Sequence, residues 1–432
     1  MKIHILGICG TFMGGLAQIL IEKGYQVSGS DQQFYPPMSD QLHALGIEMI
    51  AGYNSSNMPV ADLYVIGNAL SRGNVSVEYI LNNKLPYTSG PQMLGEMIKD
   101  RTVIAVSGTH GKTSTSFMLC EIFQHQNIEI GYLVGGVSQS LKYSARLGSA
   151  DIFVIEADEY DSAFFDKRSK FIHYHPDTLI INNIEFDHAD IFPNLSDILK
   201  QFHHAVRTVP ADGNVLTHSG GANISKVLEM GCWSNEYELG KPETIQLSFS
   251  KKIFSCDGER FDLSTLPFYG KYNYENAMMA IYAANLHGIK PKDSFQALQS
   301  FKGVKRRFET IFNSNQKIVI DDFAHHPTAI AATVESAKDF FNTSIAGIIE
   351  LGSNTMTGGH HGKDLYKSAN GLDKVFWLNL SGKTNNKNEY TSVDELLKDI
   401  KNTIDEFDVI LIMGNKDSKK ISEPLIEYLK DQ

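Results

Sequence analysis

Cysteine is scarce in this sequence, with four residues among 432: Cys9, Cys120, Cys232 and Cys256. They lie far apart in the chain and form no C-x-x-C pair. This scatter argues against a zinc site and against a disulfide framework. Buried thiols in a reducing, cytoplasmic environment are the simpler expectation.

Positive charge and long apolar runs are also lacking. The formal net charge is -11, which disfavours general nucleic-acid binding because phosphate backbones are held mainly by a surplus of lysine and arginine. No apolar stretch approaches the length that a membrane span needs. The opening segment MKIHILGICGTFMGGLAQILIEKG has glycines where a signal peptide would be continuously apolar, so we expect a strand, a loop and a helix instead.

The chain is too long for one hydrophobic core, and apolar strand-like runs alternate with helical stretches through most of it. We predict three α/β domains with parallel sheets, in residues 1–98, 99–302 and 303–432. The first and third are expected to be Rossmann-like. The second should be a P-loop type sheet, with a small β extension where the pattern becomes short and strand-like between about Gly240 and Tyr269.

The segment VSGTHGKTS lies between a β-like run and a helical run, as phosphate-binding loops do. Backbone N–H groups of Gly108, Thr109, His110, Gly111 and Lys112 are expected to surround phosphate oxygens at the helix start. Lys112 would reach the β- and γ-phosphates, and Thr113 would offer its hydroxyl to Mg²⁺. Val106 stands where the full motif has its first glycine, so the loop is a shortened variant.

Carboxylates follow a second apolar strand, in VIEADEYD. A magnesium–ATP site needs an acid at a neighbouring strand end, and we select Glu156. The other candidates are Asp158, Glu159 and Asp161, and we expect at least two of the four acids to be solvated.

A second glycine-rich turn, GICGTFMGG, opens the chain, and Asp31 follows the next strand. An acid at that distance is typical of dinucleotide-binding folds. The glycine spacing does not match G-x-G-x-x-G, however, so the turn suits any pyrophosphate. A nucleotide-dependent oxidoreductase would leave the central lysine loop without a role.

Taken in order, GTHGKTS, EADEYD, NNIEFDHAD, NYENAMMAIYAA, GVKRRFE and DDFAHHPTA resemble the motifs of the Mur ligase family of ATP-dependent amide-forming enzymes. Further segments, including YPPMS, GNALSRGN and AFFDKRSKF, are similar to those members that join UDP-N-acetylmuramate to the recycled tripeptide L-alanyl-γ-D-glutamyl-meso-diaminopimelate. The resemblance is dense up to about Thr328. It implies that ATP converts the sugar carboxylate to an acyl phosphate, which the amine of the tripeptide then attacks, in peptidoglycan recycling.

The resemblance also implies roles for individual residues. Lys112, Glu156 and His188 would be catalytic, with Thr113, Glu156 and His188 as metal ligands. Beyond the glycine loop, the ATP site would include Asn273, Asn276, Arg306, Arg307, Asp322 and His325, the last four closing on the nucleotide from the third domain. The UDP-sugar site would comprise Gly7, Cys9, Gly10, Thr11, Phe12, Met13, Gly14, Asp31, Asn68, Ser71 and Arg72.

The sequence departs from the pattern in the third domain. Leu351 and Gly352 stand where the resembling enzymes have proline and arginine, and such an arginine would suit a peptide carboxylate. The amine substrate is therefore the open point. UDP-N-acetylmuramate:L-alanine ligase is an alternative, and so is a non-catalytic protein that binds ATP and a UDP-sugar.

Overall fold

The computed structural model describes residues 1–36, 38–189, 191–241, 243–314, 316–352, 356, 362–381 and 389–431. The chain forms two compact units. One consists of Met1–Glu185, Leu195–Thr265 and Asn276–Phe301, and the other of Phe186–Asn194, Leu266–Glu275 and Lys302–Gln432. No helix in the described part of the chain is long and apolar enough to cross a bilayer.

The N-terminal sheet has five parallel strands in the order β3-β2-β1-β4-β5. The strands are β1 (Lys2–Leu6), β2 (Gln26–Asp31), β3 (Glu48–Ala51), β4 (Leu63–Ile66) and β5 (Tyr87–Ser89), and the helices are α1 (Thr11–Glu22), α2 (Met38–Ala44), α3 (Val75–Asn82) and α4 (Gly90–Ile98). This order places a topological switch point between β1 and β4, where α/β sheets bind ligands.

The central sheet has seven strands in the order β14-β13-β12-β6-β9-β7-β8, parallel except for β8. They are β6 (Thr102–Ser107), β7 (Gly131–Leu133), β8 (Ala145–Arg146), β9 (Ile152–Glu156), β12 (Thr178–Ile181), β13 (Asn214–His218) and β14 (Asn235–Leu239). Five helices accompany it, namely α5 (Lys112–His125), α6 (Leu195–Val206), α7 (Ala222–Glu229), α8 (Lys271–Leu286) and α9 (Pro291–Leu298). Strand β12 is buried along its whole length, as expected for a parallel strand with both faces covered.

Two small antiparallel sheets complete this region. A hairpin of β10 (Asp161–Ala163) and β11 (Asp166–Ser169) leads into a short 3-10 helix, Lys170–His173. A three-stranded sheet of β15 (Gln246–Ser248), β16 (Ile253–Cys256) and β17 (Glu259–Asp262) is the predicted β extension.

The C-terminal sheet has the order β18-β19-β23-β20-β21-β22, and only its edge strand β18 is antiparallel among the described strands. The strands are β18 (Glu309–Ser314), β19 (Lys317–Asp322), β20 (Ile345–Glu350), β21 (Lys374–Leu378), β22 (Glu389–Tyr390) and β23 (Val409–Met413). Its helices are α10 (Pro327–Phe340), α11 (Gly362–Lys367), α12 (Val393–Thr403) and α13 (Lys419–Lys430).

Both faces of this C-terminal sheet are buried. Val319 and Ile410 belong to one hydrophobic cluster, whereas the neighbouring Ile320 and Leu411 belong to another, as the alternation of side chains along a strand requires. The predicted α/β architecture, with Rossmann-like outer sheets and a central P-loop type sheet, is therefore confirmed.

Candidate functional site

The central glycine loop connects β6 to α5, so its N–H groups lie at a helix N-terminus as predicted. Gly111 has a φ of +83°, a conformation that side chains rarely adopt. A Cβ there would lie 2.4 Å from Asn276 Oδ1 and 2.8 Å from Asn182 Nδ2. Glycine is thus required twice, by backbone conformation and by space, and Asn276 lies at the phosphate loop itself.

A pair of asparagines after β12 holds the loop in place. Asn183 Oδ1 accepts a hydrogen bond from His110 N at 2.8 Å, and its Nδ2 donates to His110 O at 3.2 Å. Asn182 Nδ2 donates to Thr115 Oγ1 at 3.2 Å. These bonds hold the loop on both sides of His110, and the His110 N–H, one of those expected to face phosphate, is donated to Asn183 in this structure.

Lys112 points back onto its own loop. Its Nζ lies 2.6 Å from Gly108 O, 3.2 Å from Glu159 Oε2 and 3.8 Å from Asp158 Oδ1. Burial alone would lower the pKa of Lys112, but the carboxylates of Glu159, Asp158 and Glu156 outweigh it and the pKa is raised. The ammonium therefore remains charged, and it would have to exchange these partners for phosphate oxygens in order to act as predicted.

Thr113 and Glu156 are brought together. Thr113 Oγ1 donates to Glu156 Oε1 at 2.9 Å, and Gly135 N donates to Glu156 Oε2 at 2.7 Å. Burial raises the pKa of Glu156, and the nearby charge of Asp158 raises it further. A hydroxyl and a carboxylate at this distance are hard oxygen donors of the kind that Mg²⁺ prefers, so these two residues fit the predicted metal site.

The expectation that at least two of the four acids are solvated is wrong. Glu159 is 2% exposed and pairs with Lys112, and Asp158 lies between Lys112 and Lys170. Even Asp161 is paired, with Lys167 at 2.5 Å. The acids follow a strand at the carboxyl edge of the sheet, where Lys112 of the phosphate loop and two lysines of the following hairpin segment pair with them.

The N-terminal loop connects β1 to α1. The predicted acid, Asp31, is hydrogen-bonded to the backbone of this loop. Asp31 Oδ2 accepts from Cys9 N at 2.8 Å, and its Oδ1 accepts from Gln32 N at 2.7 Å. Gly10 caps α1, so Thr11, Phe12 and Met13 form its first turn. A Cβ on Gly14 would lie 2.0 Å from Met38 Sδ, which explains the glycine there as close helix packing.

The loop after β4 carries the remaining predicted sugar-site residues, Asn68, Ser71 and Arg72. It adjoins the glycine loop, because Gly67 N donates to Leu6 O at 3.0 Å across the β1–β4 switch point. Arg72 forms a bidentate pair with Glu78, at 2.8 and 3.0 Å. This arginine would therefore have to leave a partner in order to bind a phosphate.

The second compact unit contains the other predicted residues. Asp322 accepts from Phe308 N at 2.7 Å and from Ala324 N at 2.8 Å, and burial raises its pKa although Arg307 opposes the shift. Arg306 donates to Gly414 O at 2.6 Å and pairs with Asp321 at 3.3 Å.

The remaining three residues of that unit are held by local contacts. His325 Nδ1 lies 2.9 Å from Phe323 O, and Asn273 Nδ2 donates to Tyr269 O at 2.8 Å. His188 lies in the segment 186–194 with a positive φ of 53°, and its N–H donates to Asp187 Oδ1 at 2.7 Å. The roles proposed for all of these residues stay predictions.

Sequence reasoning named Asp158 and Glu159 only as alternatives to Glu156, and it missed Lys170, Asn182 and Asn183 as members of this site. The asparagines lie in the quoted motif NNIEFDHAD, directly after a buried strand. Their position at the carboxyl end of β12, beside the loop after β6, was the available signal.

Three family models match the chain. They are described as the Mur ligase family catalytic domain over residues 2–102, the Mur ligase middle domain over 106–284 and the Mur ligase glutamate ligase domain over 306–416.

Individual relatives agree with these matches. The chain is 47% identical, over 87% of its length and 85% of the relative's, to UDP-N-acetylmuramate–L-alanyl-γ-D-glutamyl-meso-2,6-diaminoheptandioate ligase of Haemophilus influenzae. It is 33% identical to UDP-N-acetylmuramate–L-alanine ligase of Syntrophomonas wolfei, over 78% and 74% of the two chains. The crystal structure of a murein peptide ligase from Psychrobacter arcticus matches with a TM-score of 0.77 and 38% identity, covering 100% of this chain and 99% of the other.

Proposed function

The chain belongs to the Mur ligase family, and we propose that it is an ATP-dependent ligase joining UDP-N-acetylmuramate to the tripeptide L-alanyl-γ-D-glutamyl-meso-diaminopimelate. The products are the amide, ADP and phosphate. Both substrates are small molecules. This reaction belongs to peptidoglycan recycling, and we expect it to take place in the cytoplasm, where ATP and UDP-sugars are available.

The observation that carries the proposal is the presence of two unlike glycine loops in one compact unit. The loop after β6 has Lys112 and the Thr113–Glu156 pair, which suit a triphosphate. The loop after β1 has no basic residue between Gly7 and Gly15, and it leads directly into the N–H groups at the start of α1. A uridine diphosphate and an ATP would thus each have their own loop.

In the first step, an oxygen of the sugar's lactoyl carboxylate attacks the γ-phosphorus of ATP. The bond from that phosphorus to the β–γ bridging oxygen breaks, and ADP leaves. Lys112 would neutralise charge on the β- and γ-phosphates during this transfer, and the N–H groups of the loop would hold them in line. Thr113 and Glu156 would hold Mg²⁺, which supplies further positive charge at the phosphates.

In the second step, the unprotonated α-amine of the tripeptide attacks the carbonyl carbon of the acyl phosphate. A C–N bond forms, and the tetrahedral intermediate then expels phosphate by breaking its C–O bond while the nitrogen loses a proton. The acyl phosphate makes this possible, because phosphate is a far better leaving group than the oxygen of a free carboxylate. Exclusion of water protects the acyl phosphate from hydrolysis.

L-Alanine is the second candidate for the amine substrate. Gly352 leaves no guanidinium at the position where similar tripeptide ligases have arginine, and a Cβ there would lie 2.6 Å from Lys416 Cγ. Residues 353–355 and 357–361 of the same segment lie outside the described residues. The 47% identity to the Haemophilus influenzae tripeptide ligase, against 33% to the Syntrophomonas wolfei L-alanine ligase, supports the tripeptide as first choice.

The test is an acceptor screen with ATP, Mg²⁺ and UDP-N-acetylmuramate, in which phosphate release is measured and the product is weighed by mass spectrometry. The tripeptide should give the amide at a rate at least about tenfold above L-alanine, and omission of either substrate or of Mg²⁺ should abolish phosphate release. Hydroxylamine should trap the acyl phosphate as a hydroxamate. ATP turnover that is independent of both substrates would refute the proposal, and tight binding of ATP and UDP-sugar without any product would favour the non-catalytic alternative.

A further inference from the structure

Lys170 is a buried lysine that the proposed reaction does not use. It begins the 3-10 helix after the β10–β11 hairpin, and only 4% of the residue is exposed. Lysine is rarely buried to this extent unless its charge is compensated. The groups around Lys170 should therefore include the negative charge that compensates its ammonium.

Two polar partners and two aromatic rings surround the ammonium of Lys170. The Nζ atom lies 3.1 Å from Asp158 Oδ2 and 3.0 Å from the Tyr160 hydroxyl. It also lies 4.2 Å from the ring centre of Tyr160 and 4.9 Å from that of Phe12, within cation–π range. The segment after β9 and the distant helix α1 thus meet at one buried charge.

The carboxylate of Asp158 is shared between two lysines. Its Oδ2 faces Lys170, and its Oδ1 lies 3.8 Å from Nζ of Lys112. Lys112 is the residue that must move from Gly108 O to the phosphates of ATP. The strength with which Asp158 attracts Lys112 therefore depends on whether Lys170 is present to share the negative charge.

Phe12 connects Lys170 to the other glycine loop, because it is the second residue of α1. The backbone behind Lys170 is also fixed to the N-terminal sheet region. A Cβ on Gly95 of α4 would lie 2.1 Å from the carbonyl oxygen of His173, at the end of the Lys170 helix. Lys170 consequently has little freedom to follow Lys112 when the phosphate site changes.

We propose that Lys170 is a positioning residue that acts through Asp158 on Lys112, and that its contact with Phe12 couples occupancy of the UDP-sugar loop to ATP binding. With Lys170 present, Asp158 is neutralised and Lys112 is available to the phosphates. Without it, Asp158 holds Lys112 and repels the γ-phosphate. A ligand that orders Phe12 over Lys170 strengthens this arrangement, so UDP-sugar and ATP favour each other's binding.

The experiment measures binding of a non-hydrolysable ATP analogue, AMP-PNP with Mg²⁺, by calorimetry, with and without saturating UDP-N-acetylmuramate. We expect the sugar to tighten AMP-PNP binding about fivefold or more in the unaltered protein. Lys170→Met should raise the AMP-PNP Kd about tenfold and abolish the effect of the sugar. Lys170→Arg should retain both properties, since the positive charge is kept.

A second variant separates positioning from a structural role. In Lys170→Met/Asp158→Asn the unpaired negative charge is gone, so AMP-PNP affinity should return to within about threefold of the unaltered protein while the sugar effect stays absent. Lys167→Gln is the matched control, because Lys167 lies on the same hairpin with a side chain that is 72% exposed. It should change neither quantity, and thermal melts should verify that all variants are folded.

Unchanged AMP-PNP affinity in Lys170→Met would overturn the proposal, and so would a double variant as weak as the single one. The absence of any sugar effect in the unaltered protein would overturn the coupling to Phe12. The predicted coupling between the UDP-sugar and ATP sites rests on the proposed function. The comparison of AMP-PNP affinity between the unaltered protein and Lys170→Met, made without sugar, does not. If the protein instead failed to bind UDP-N-acetylmuramate at all, the proposed function would fail, and the two results are distinguishable.

Discussion

The two glycine loops differ in how each is held in place. The loop after β1 is fixed by an acid, since Asp31 accepts a hydrogen bond from Cys9 N. The loop after β6 is fixed by amides, since Asn183 both donates to and accepts from the His110 peptide. The acid at the first loop accepts directly from the loop backbone, whereas the acids near the second loop pair with Lys112 and leave the backbone to the neutral amides.

The surroundings of the loops extend this contrast. The central loop contains a lysine with three nearby acids, which balance its charge until phosphate replaces them. The N-terminal loop offers mainly backbone N–H groups at the start of α1, and we propose that these hold a diphosphate without activating it. Under this proposal the same strand–loop–helix geometry would serve both for binding and for phosphoryl transfer, and the side chains around each loop would decide between the two roles.

The largest effect should come from Lys112→Ala. Removal of the ammonium takes positive charge from the phosphoryl-transfer step, and we expect kcat to fall about 10³-fold, a loss typical of a transition-state stabilising donor. The Kd of UDP-N-acetylmuramate should remain within about twofold, because we propose that the sugar nucleotide binds at the other glycine loop. Phosphate-release rates and calorimetry measure the two quantities, and Lys99→Ala, at a 60% exposed side chain, is the control. Equal loss of both would contradict the division of labour between the loops.

Gly111→Ala should have a smaller effect than Lys112→Ala, and we expect kcat/KM for ATP to fall about 10²-fold. Its φ of +83° strains any alanine, and the new methyl group would collide with Asn276 and Asn182. The counterpart Gly7→Ala has a similar φ, but its nearest contact would be an ordinary 3.9 Å, so we expect less than a tenfold loss of sugar affinity. Gly46→Ala, with a φ of +69° and open space, controls for strain alone. Similar losses in all three variants would show that strain, and not the asparagine contacts, explains the effect.

Much of this comparison could be predicted from sequence, because both loops follow apolar strands and precede helical runs. Lys112, Thr113 and Glu156 lie within such local patterns, and the structure brings them together. The pairing of Asp158 with Lys170 could not be predicted in this way. It depends on a hairpin that folds a lysine back under the N-terminal helix, and no local spacing encodes that contact.

The burial and packing of the acids after β9 and of Asn276 could not be predicted from the sequence either. VIEADEYD places four carboxylates after a strand, but composition does not reveal that Glu159 turns inward while Asp161 pairs at the surface of a hairpin. The motif predicts only that Asn276 belongs to the ATP site. Its approach to Gly111 depends on where helix α8 packs, which is a tertiary property.

The strands leading into the two loops should differ in their response to acid. β1 contains the buried His4, whose ring nitrogens lie 2.8 Å from Ser28 Oγ and 2.9 Å from Ser30 Oγ, whereas β6 contains no histidine. Burial lowers the pKa of His4 to about 4. The unfolded state binds the proton more tightly than the folded state. The contribution of His4 to the free energy of unfolding is therefore fully present above the unfolded pKa of 6.5, and it is lost as the pH falls toward 4.

When the pH is lowered from 7 to 5, protonation of this histidine in the unfolded state should reduce the free energy of unfolding by about 2 kcal/mol. Urea unfolding at both pH values would measure the loss, and His4→Gln should reduce it, because other buried histidines contribute equally to both proteins. An identical pH dependence in the variant would contradict the assignment of the acid sensitivity to β1.

The smallest expected effect, Asp31→Ala, tests the N-terminal loop by itself. Removal of the carboxylate leaves Cys9 N without its acceptor, and the loss of one charge-assisted hydrogen bond, about 1.4 kcal/mol, corresponds to roughly tenfold weaker UDP-N-acetylmuramate binding. AMP-PNP binding without sugar should not change, since the side chain of Asp31 accepts hydrogen bonds from Cys9, Gln32 and Tyr53, all in the N-terminal sheet region. Asp40→Asn, at an exposed acid of the same sheet region, is the calorimetric control. Tighter sugar binding in Asp31→Ala would reverse the interpretation: the acid would then act mainly by repelling the diphosphate, and the backbone of the first loop would hold its shape without it.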